Sequence, residues 1–360
     1  MELRVVIASG GTGGHLFPGI AVAQEFRSRV GAHVIFLTTP KAVTAQILEQ
    51  YNFAWQAVSS RALKGQGRWG RLKAWFSLPG QVLGARSRLK ALKPHLVLGL
   101  GGHTSGPVGL AARTLGMPLA IHEQNAVPGF TNRWLARWAG RVFLSFPESQ
   151  DSLSPGRCRW TGNPIRPEFF REAPLRPATP FTVLVMGGSQ GAHHLNLEVL
   201  AALPRLAEFK DRLHFLHLTG EADRDLVEAG YQQAGFPAEV AAFNPEVARW
   251  LGRAHLVVCR AGASSLAELA AVGRGAILVP YPFAANNHQE HNARFFEAAG
   301  AAEVILNKDF TGEVLAAKVK KFISDPESLT RMEEGSRRLT RPDAAKEIVQ
   351  GCLELLEKTM

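Results

Sequence analysis

Two glycine-rich turns of the same design lie far apart in this chain, and each stands between an apolar run and an amphipathic stretch. The first turn spans Gly10–His15 and follows the apolar run Val5–Ala8. The second spans Gly187–Ala192 and follows Val183–Met186. Glycine lets the backbone come close to a ligand, and the free N–H groups at the start of the next helix attract an oxyanion. Two such units predict two nucleotide-type domains that face each other across a cleft, as in a two-substrate transferase.

Apolar runs recur through both halves of the chain with helical stretches between them. This alternation predicts an α/β fold with two Rossmann-like domains, each a doubly wound parallel sheet with helices on both faces. The predicted strands are Arg4–Ala8, His33–Leu37, His95–Leu100, Pro118–His122, Arg141–Ser145, Thr182–Met186, Leu213–Leu218, His255–Cys259 and Ala276–Pro280.

The stretch from Pro164 to Pro180 contains five prolines and no periodic pattern, so it predicts an interdomain linker. We therefore expect one domain over residues 1–163 and a second over 164–341. Beyond Pro342 the apolar spacing predicts a last helix, Ala344–Leu356, within the segment 342–360. We expect this helix to pack back on the first domain.

Composition limits the class of protein. With 360 residues, 46% of them hydrophobic, the chain is long enough for two ordinary domains. The 3 cysteines lie far apart without paired spacing, which favours a reducing compartment and gives no disulfide or metal framework. No signal-peptide pattern opens the chain, and no apolar run reaches the roughly 18 residues of a membrane span. We expect a cytosolic or peripheral protein.

Neither glycine turn has the pattern of a dinucleotide or Walker site. Leu16 stands where a dinucleotide fingerprint needs a third glycine or alanine. The second strand ends in Thr38-Thr39-Pro40, without the acid that would hold a ribose 2′-hydroxyl. No Lys-Ser or Lys-Thr pair follows either turn, so the ligand is of another type.

Positive charge is concentrated in the first half of the chain. The net charge is +10, and residues 1–165 contain 19 Lys and Arg against 6 Asp and Glu. Residues 61–93 contain nine of these bases and no acid. The first half is therefore expected to meet an anionic partner, which could be a membrane surface, a nucleic acid or a phosphorylated substrate.

Aromatic residues between these bases favour a membrane surface. On a helix, Trp69, Leu72 and Phe76 share one face, with Trp75 beside it and basic side chains on the flanks. We expect Pro79-Gly80 to interrupt this helix, after which the apolar stripe continues with Val82, Leu89 and Leu92. The alternative is a helix that buries the same apolar face in its own domain and leaves its charges in solvent.

The segment Cys259–Glu268 is the most complete candidate site. Its Gly-Ala-Ser-Ser turn offers N–H groups and hydroxyls to a diphosphate, and Glu268, one turn into the helix, suits ribose hydroxyls. The alternative is an ordinary helix start with a surface glutamate. The amide-rich segment Asn286–Asn292 suits hydrogen bonds to sugar hydroxyls, and its alternative is a solvated loop.

Seven motifs in one order carry a resemblance to a known family. They are Gly10-Gly11-Thr12-Gly13-Gly14-His15, Gly101-Gly102-His103-Thr104-Ser105-Gly106, His122-Glu123-Gln124-Asn125, Thr161-Gly162-Asn163-Pro164-Ile165-Arg166, Gly187-Gly188-Ser189-Gln190-Gly191-Ala192, Arg260-Ala261-Gly262-Ala263 and His288-Gln289. Over nearly its whole length the chain resembles the MurG family of peptidoglycan N-acetylglucosaminyltransferases, which belong to glycosyltransferase family 28. These enzymes have two Rossmann-like domains in the GT-B arrangement.

The resemblance implies an inverting transfer of N-acetylglucosamine from UDP-GlcNAc. The acceptor would be the 4-hydroxyl of undecaprenyl-diphospho-N-acetylmuramoyl-pentapeptide (lipid I), and the product lipid II would serve peptidoglycan synthesis, cell shape and cell division. The resemblance also implies a peripheral enzyme on the cytoplasmic face of the bacterial inner membrane, in contact with the anionic inner leaflet. We expect no nucleic-acid partner, no cofactor and no metal.

Site residues are carried over position by position from the family. Near the donor the resemblance places Thr12, Gly13, Gly14, Asn125, Arg166, Ser189, Asn244 (with Phe243, at the uracil), Gly262, Ala263, Ser264, Ser265, Glu268, His288, Gln289 and Asn292. Near the acceptor it places Gly13, Gly14, His15, Gly102, His103, Thr104 and Ser105. Relatives often have a tyrosine where His103 stands, which puts any role of that hydroxyl in doubt.

His15 is the candidate general base. It ends the first glycine loop, and an imidazole titrates near neutral pH, which suits proton abstraction from a hydroxyl. The alternatives are a histidine that holds the loop or binds the acceptor diphosphate. His122 and Glu123 end a buried strand and are expected to be structural. The helix start at 262–265 with Arg166 would stabilise the departing diphosphate without a metal.

Three other functions are compatible with parts of this pattern. A lipid glycosyltransferase with another acceptor would share the donor site. A UDP-sugar epimerase would share the two-domain scaffold but would not need the basic aromatic patch, and no paired carboxylates are evident for its proton shuttle. A nucleic-acid-binding or membrane-scaffold protein would use the basic half but leave the donor-like residues without a purpose.

Overall fold

The computed structural model describes residues 2–11, 13–58, 68–153, 155–171, 180–188 and 191–358, and of residues 68–76 it describes the backbone alone. The chain divides into two compact units. The first unit is Met1–Arg166 together with Arg341–Met360, and the second unit is Pro167–Thr340. The division therefore falls between Arg166 and Pro167 rather than at Pro164.

The described part of the first unit is built on a parallel sheet of seven strands. The strands are β1 (Arg4–Ala8), β2 (His33–Thr38), β3 (Ala54–Ala57), β4 (Leu96–Gly99), β5 (Leu119–Glu123), β6 (Arg141–Leu144) and β7 (Cys158–Trp160). Their order in the sheet is β3-β2-β1-β4-β5-β6-β7. The intervening helices are α1 (Gly13–Val30), α2 (Ala42–Gln50), α3 (Arg68–Leu92), α4 (Gly102–Thr114) and α5 (Phe130–Leu135).

Both faces of this sheet are covered, as expected for parallel strands. Val5 and Ile7 point to one face, where they pack with Ile20 and Phe26 of α1. The alternate residues of β1 point to the other face and pack with side chains of α3 and α4. The first unit is therefore a sheet between two helical layers.

The described part of the second unit repeats this plan with a parallel sheet of six strands. Its strands are β8 (Phe181–Met186), β9 (Leu213–Leu218), β10 (Ala238–Ala241), β11 (Leu256–Cys259), β12 (Ala276–Leu278) and β13 (Ala302–Val304). Their order is β10-β9-β8-β11-β12-β13. The helices are α6 (Glu168–Arg171), α7 (His193–Ala202), α8 (Arg224–Ala234), α9 (Val247–Arg253), α10 (Ala263–Val272), α11 (His288–Ala298), α12 (Gly312–Ser324) and α13 (Pro326–Arg338).

The last helix, α14 (Ala344–Glu357), belongs to the first unit although it follows the second in sequence. Ile348, Val349 and Cys352 are fully buried in the same cluster as Ile20 and Phe26. Short 3-10 helices occupy Pro147–Ser152, Pro155–Arg157, Leu203–Arg212, Glu221–Asp223 and Ala285–Asn287.

The long helix α3 departs from its prediction. It continues through Pro79, so the expected interruption there is wrong. Proline removes one N–H donor from a helix, but packing of the following turns offsets this loss. Ala85 and Leu89 are fully buried and Val82 and Leu92 pack against the same core, so this half of the helix buries its apolar face in its own unit.

Candidate active site

The candidate residues of the first unit gather where its strand order reverses. β1 lies between β2 and β4, and the chain winds outward from this pair in opposite directions. The crevice at the carboxyl ends of such a strand pair is the usual ligand site of a doubly wound sheet. The loop after β1 contains Gly10 and Gly11 and leads to Gly13–His15 in the first turn of α1, and Gly101 follows β4 directly before Gly102, the first residue of α4.

These two loops touch through glycine backbone. Gly102 has a φ of +74°, and a Cβ on it would lie 2.9 Å from Cα of Gly10. Gly101 has a φ of +86°, and a Cβ there would lie 3.3 Å from the His15 ring. A larger residue at either position would strain the backbone and push the loops apart. The sequence motif therefore reflects close packing of backbone and imidazole.

His15 belongs to a row of groups at hydrogen-bond distance. Its Nδ1 lies 3.2 Å from Oε1 of Gln124, and Nε2 of Gln124 lies 3.1 Å from Nδ1 of His122. Nε2 of His122 lies 3.3 Å from the carbonyl oxygen of Gly162 and 3.2 Å from Oγ of Ser145. Burial lowers the pKa of His122 to about 4, so this ring is neutral near pH 7.

Glu123 holds the loop that follows β5. Its Oε1 accepts a hydrogen bond of 2.9 Å from the Asn125 backbone N–H, and its Oε2 accepts one of 3.0 Å from the Gly129 N–H. Nδ2 of Asn132 donates to the same Oε2 at 2.9 Å. Burial raises the pKa of Glu123, and these donors oppose the rise. The carboxylate is thus engaged in shaping the loop that carries Asn125.

Some side chains at the start of α4 are buried and support the fold, while others face solvent. The Ser105 hydroxyl is fully buried, 2.7 Å from the carbonyl oxygens of Ala8 and Gly101, so it joins the two loops. Thr104 is also fully buried. His103 is partly exposed, and desolvation together with nearby Lys41 lowers its pKa. Of the acceptor residues expected on this helix, His103 is the one that presents its side chain to solvent.

Three buried hydroxyls beside the first loop were not anticipated. Within the described residues, the hydroxyls of Ser9, Thr38 and Thr39 have no hydrogen-bond partner. Ser9 and Thr38 extend paired strands on the same face. A Cβ on Gly11 would meet the Thr39 hydroxyl and lie 3.2 Å from Cδ of Lys41. Polar residues at the ends of two buried strands were the available signal for these hydroxyls.

The second unit repeats the reversal of strand order at β8 and β11. In the loop after β8, Gly191 has a φ of +74° and a Cβ there would overlap the Thr219 carbonyl. Gly187 lies against the backbone of Ala192 in the same way. Ser189 of this loop lies outside the described residues, as does Thr12 of the first loop.

The loop after β11 leads into α10, whose first helical residue is Ala263. The first N–H groups of a helix have no acceptor within it, so the Gly262–Ser265 turn directs donors outward. Ser264 and Glu268 are half-buried and, four residues apart, share one face of the helix. The guanidinium of Arg260 donates to Val279, Pro280 and Asn307 oxygens and so ties this loop to the next strand.

The amide-rich segment contains both exposed and buried side chains. Oε1 of Gln289 accepts a hydrogen bond of 3.0 Å from the Tyr281 N–H. Nδ1 of His288 lies 2.8 Å from the Ala285 carbonyl oxygen. Asn292 is fully buried and donates to the Ala261 carbonyl at 3.2 Å, so it supports the loop that precedes α10.

The remaining donor candidates are spread over both units. Phe243 is 65% exposed, and Oδ1 of Asn244 accepts from the Glu246 N–H at 2.8 Å. Arg166 is grouped with the first unit, where its guanidinium carbon lies 5.0 Å from the centre of the Phe17 ring.

Sequence reasoning missed a polar network behind the second glycine loop. His193 begins α7, and its Nδ1 lies 2.8 Å from Oδ1 of Asp223. Nδ2 of Asn196 donates to the other Asp223 oxygen at 2.8 Å, and Oδ1 of Asn196 accepts from Nε2 of His217 at 3.0 Å. Tyr231 contacts Nδ1 of His217 at 3.0 Å. The position of His193 just after the glycine turn, like that of His15, was the available signal.

The expected membrane residues Trp69, Leu72, Trp75 and Phe76 have side chains outside the described part of the chain. Among the described residues, no helix has the length and hydropathy of a membrane span. In the same residues, no three His, Cys, Asp or Glu side chains are grouped as a metal site would require.

Two models of known families match the chain, one in each half. The N-terminal domain of glycosyltransferase family 28 matches residues 5–144, and the C-terminal domain of that family matches residues 182–348. With two doubly wound sheets and a glycine loop at each reversal of strand order, the chain is a glycosyltransferase of the GT-B class.

Relatives give a finer assignment. The chain is 42% identical over 99% of its length to the UDP-N-acetylglucosamine--N-acetylmuramyl-(pentapeptide) pyrophosphoryl-undecaprenol N-acetylglucosamine transferase of Anaeromyxobacter dehalogenans (strain 2CP-C), 94% of which is covered. A protein of the same name from Geobacter sulfurreducens is 42% identical, with 96% of this chain and 97% of that protein covered. The crystal structure of Acinetobacter baumannii MurG superposes with a TM-score of 0.79 at 31% identity, covering 98% and 100% of the two chains. The chain belongs to glycosyltransferase family 28 and, within it, to the MurG transferases.

The same scaffold occurs in proteins of other names. A UDP-GlcNAc 2-epimerase of Neisseria meningitidis superposes with a TM-score of 0.70 over 98% of this chain and all of that one, at 13% identity. This likeness is one of fold.

Two buried histidines make stability depend on pH. Burial lowers the pKa of His122 to about 4 and that of His217 to about 3, from 6.5. As the pH falls, these histidines therefore bind protons in the unfolded chain before they do so in the folded one. Stability is lost as the pH falls below 6.5. We expect the free energy of unfolding to fall by about 2 kcal/mol per histidine between pH 7 and pH 5.

Urea unfolding at pH 7, 6 and 5 measures this dependence. His217→Gln should flatten it because the replacement does not titrate. An equal pH dependence of the free energy of unfolding in the variant and the parent would contradict the lowered pKa of His217.

Proposed function

We propose that this enzyme transfers N-acetylglucosamine from UDP-GlcNAc to the 4-hydroxyl of lipid I, with inversion at the transferred carbon, and produces lipid II. One observation carries the proposal: in each unit the glycine-rich motif loops lie at the reversal of strand order, the usual ligand site of such a sheet. The names of relatives at 42% identity over nearly full length supply the substrates.

The second unit is the proposed donor domain. The N–H groups and hydroxyls of Gly262–Ser265 suit the UDP diphosphate, and the positive end of the α10 dipole adds to this attraction. Glu268 lies on the same face as Ser264, one turn further along, which suits the ribose hydroxyls. Phe243 and Asn244 are assigned to the uracil. The proposed sugar contacts are Asn125, His288 and Gln289, and the buried Asn292 is assigned to the support of the loop before α10. The donor set is completed by Thr12, Gly13, Gly14, Arg166, Ala263, Ser189 and Ser265.

The first unit is the proposed acceptor domain. Near its first glycine loop lie the buried hydroxyls of Ser9, Thr38 and Thr39, which have no hydrogen-bond partner among the described residues, and Lys41 beside Gly11. Such groups suit the diphosphate of a lipid-linked sugar. Gly13, Gly14, His15, Gly102 and His103 form the proposed acceptor set, and the buried Thr104 and Ser105 are assigned to its support. His103 would supply an imidazole where relatives often have a phenol.

His15 is the proposed general base. It would take the proton of the acceptor 4-hydroxyl as that oxygen attacks the anomeric carbon of N-acetylglucosamine from the face opposite UDP. The bond from this carbon to the diphosphate oxygen breaks, its electron pair leaves with UDP, and the configuration inverts. The α10 start and Arg166 would stabilise the charge that develops on the diphosphate. These residues account for the transfer without a cofactor.

The enzyme is proposed to work as a peripheral protein on the anionic cytoplasmic face of the inner membrane. The charge pattern supports this, since residues 61–93 contain nine bases and no acid. The buried half of α3 anchors the helix, so the membrane contact is assigned to Trp69, Leu72, Trp75 and Phe76 in the other half.

Release of UDP from UDP-GlcNAc, with and without a soluble lipid I analogue, tests the proposed reaction. We expect release that depends on the acceptor and a product with a new β-1,4 bond. Release of UDP without acceptor, together with epimerised sugar, would favour the epimerase instead.

Glu268→Ala is expected to raise the KM for UDP-GlcNAc by about 10- to 100-fold, the effect of losing hydrogen bonds to a charged group. The KM for the acceptor and the thermal midpoint should change little. Glu334→Ala, on α13 of the same unit, is the matched control. An unchanged donor KM in the Glu268 variant would remove this residue from the site.

Replacing Trp69, Trp75 and Phe76 together by serine should weaken binding to anionic vesicles by at least about tenfold, since interfacial binding scales with buried apolar area. Turnover of a soluble acceptor analogue should be preserved. Replacing exposed Leu226 and Phe283 of the second unit by serine is the control. Equal vesicle binding by the triple variant and the parent would contradict the membrane assignment.

A further inference from the structure

The row of contacts from His15 to Gly162 has one consistent arrangement of protons. At one end stands a backbone carbonyl, which can only accept a hydrogen bond. Nε2 of His122 lies 3.3 Å from this Gly162 oxygen, and Gly162 has a φ of +84°, a conformation that glycine adopts readily. The proton of a neutral His122 ring therefore lies on Nε2, where Ser145 is a second neighbour at 3.2 Å.

The position of this proton determines the orientation of the next group in the row, the Gln124 amide. With Nε2 protonated, Nδ1 of His122 carries a lone pair and needs a donor. The Gln124 side chain, 3.1 Å away, must present its NH₂ to this nitrogen. The full burial of His122, which lowers its pKa to about 4, excludes the doubly protonated ring that would reverse the amide.

The orientation of the amide then determines the tautomer of His15. Since its nitrogen faces His122, its oxygen faces Nδ1 of His15 at 3.2 Å, and this oxygen can only accept. The proton of a neutral His15 therefore lies on Nδ1, and Nε2 carries the basic lone pair. Gln124 is itself buried, so water does not compete for the amide.

We propose that Gln124 and His122 are positioning residues that hold His15 in the tautomer with a basic Nε2, anchored on the Gly162 carbonyl. The catalytic consequence rests on the proposed function, in which His15 accepts the proton of the acceptor hydroxyl. The tautomer itself does not depend on that function. An imidazole with the wrong nitrogen protonated cannot act as the base from the same position, however well the substrate binds.

Gln124→Met tests the proposal because methionine keeps the length and approximate volume of glutamine but offers neither amide group. We expect kcat to fall by about 10- to 100-fold, a large part of a general base's contribution, with the KM for UDP-GlcNAc unchanged. Gln350→Met, the same substitution on a surface hydrogen bond between α14 and Arg29, is the matched control and should retain parental kcat.

Gln124→Glu distinguishes a role of Gln124 in orienting His15 from a role in supporting the fold alone. A buried glutamic acid in its neutral form keeps both groups, since its O–H donates to Nδ1 of His122 and its carbonyl oxygen accepts from Nδ1–H of His15, so the Glu variant should recover part of the kcat that the Met variant loses. If Gln124 only supports the fold, burying a carboxyl group there is worse than burying methionine. A Glu variant less active than the Met variant would therefore overturn the proposal.

Nitrogen-15 spectra of the histidine rings give a readout independent of activity. With ¹⁵N-labelled histidine and His15→Gln to assign the signal, the parent should show a protonated Nδ1 on His15, and Gln124→Met should lose this preference. A parent signal with Nε2 protonated would overturn the proposal even if UDP release depends on the acceptor. Conversely, full activity of His15→Gln would remove His15 as the base while the tautomer result still stands.

Discussion

The close approach of the backbone at Gly10 and Gly102 is the constraint on which the site of the first unit depends. A Cβ on Gly102 would lie 2.9 Å from Cα of Gly10, so side chains there would force the loops apart. The two loops follow β1 and β4, and their contact determines where α1 and α4 begin. It thereby sets His15 against Gly101 and lets Ser105 join both loops. In both units, glycine permits close packing of the backbone at the reversal of strand order.

The sheet interiors were predictable and the sheet edges were not. Each of the nine predicted strands is present within about two residues of its expected bounds, because strands buried on both faces read as continuous apolar runs. The unpredicted strands are β3, β7, β10 and β13, and each lies at an edge of its sheet. Ala54–Ala57 and Ala238–Ala241 are only partly buried, so their composition need not be apolar. The break that was expected in helix α3 is absent for a different reason, since the packing of Leu89 outweighed the local effect of Pro79.

Motifs located the candidate site but did not determine what each side chain does. The order of residues indicated that glycine loops follow strands, and the parallel topology then placed these loops together. The direction of a side chain depends on partners distant in sequence, and Ser105 and Asn292 are engaged in hydrogen bonds within the protein. The row from His15 to Gly162 likewise links segments that only the fold brings together. Nothing in the sequence therefore indicated that Gln124 contacts His15, beyond the place of Gln124 in the motif.

The partner that orients His15 differs in charge from the partner that orients His193. Nδ1 of His193 lies 2.8 Å from a carboxylate oxygen of Asp223, whereas Gln124 offers His15 an uncharged amide oxygen. A carboxylate partner both orients an imidazole and stabilises its protonated form, while an amide orients the ring with much less effect on its charge. Under the proposed mechanism, the base must take a proton in each turnover and release it before the next. The amide suits this cycle. Through its NH₂ group and His122, the neutral Gly162 carbonyl sets the proposed tautomer of His15, and Gln124 adds no charge beside the proposed diphosphate site.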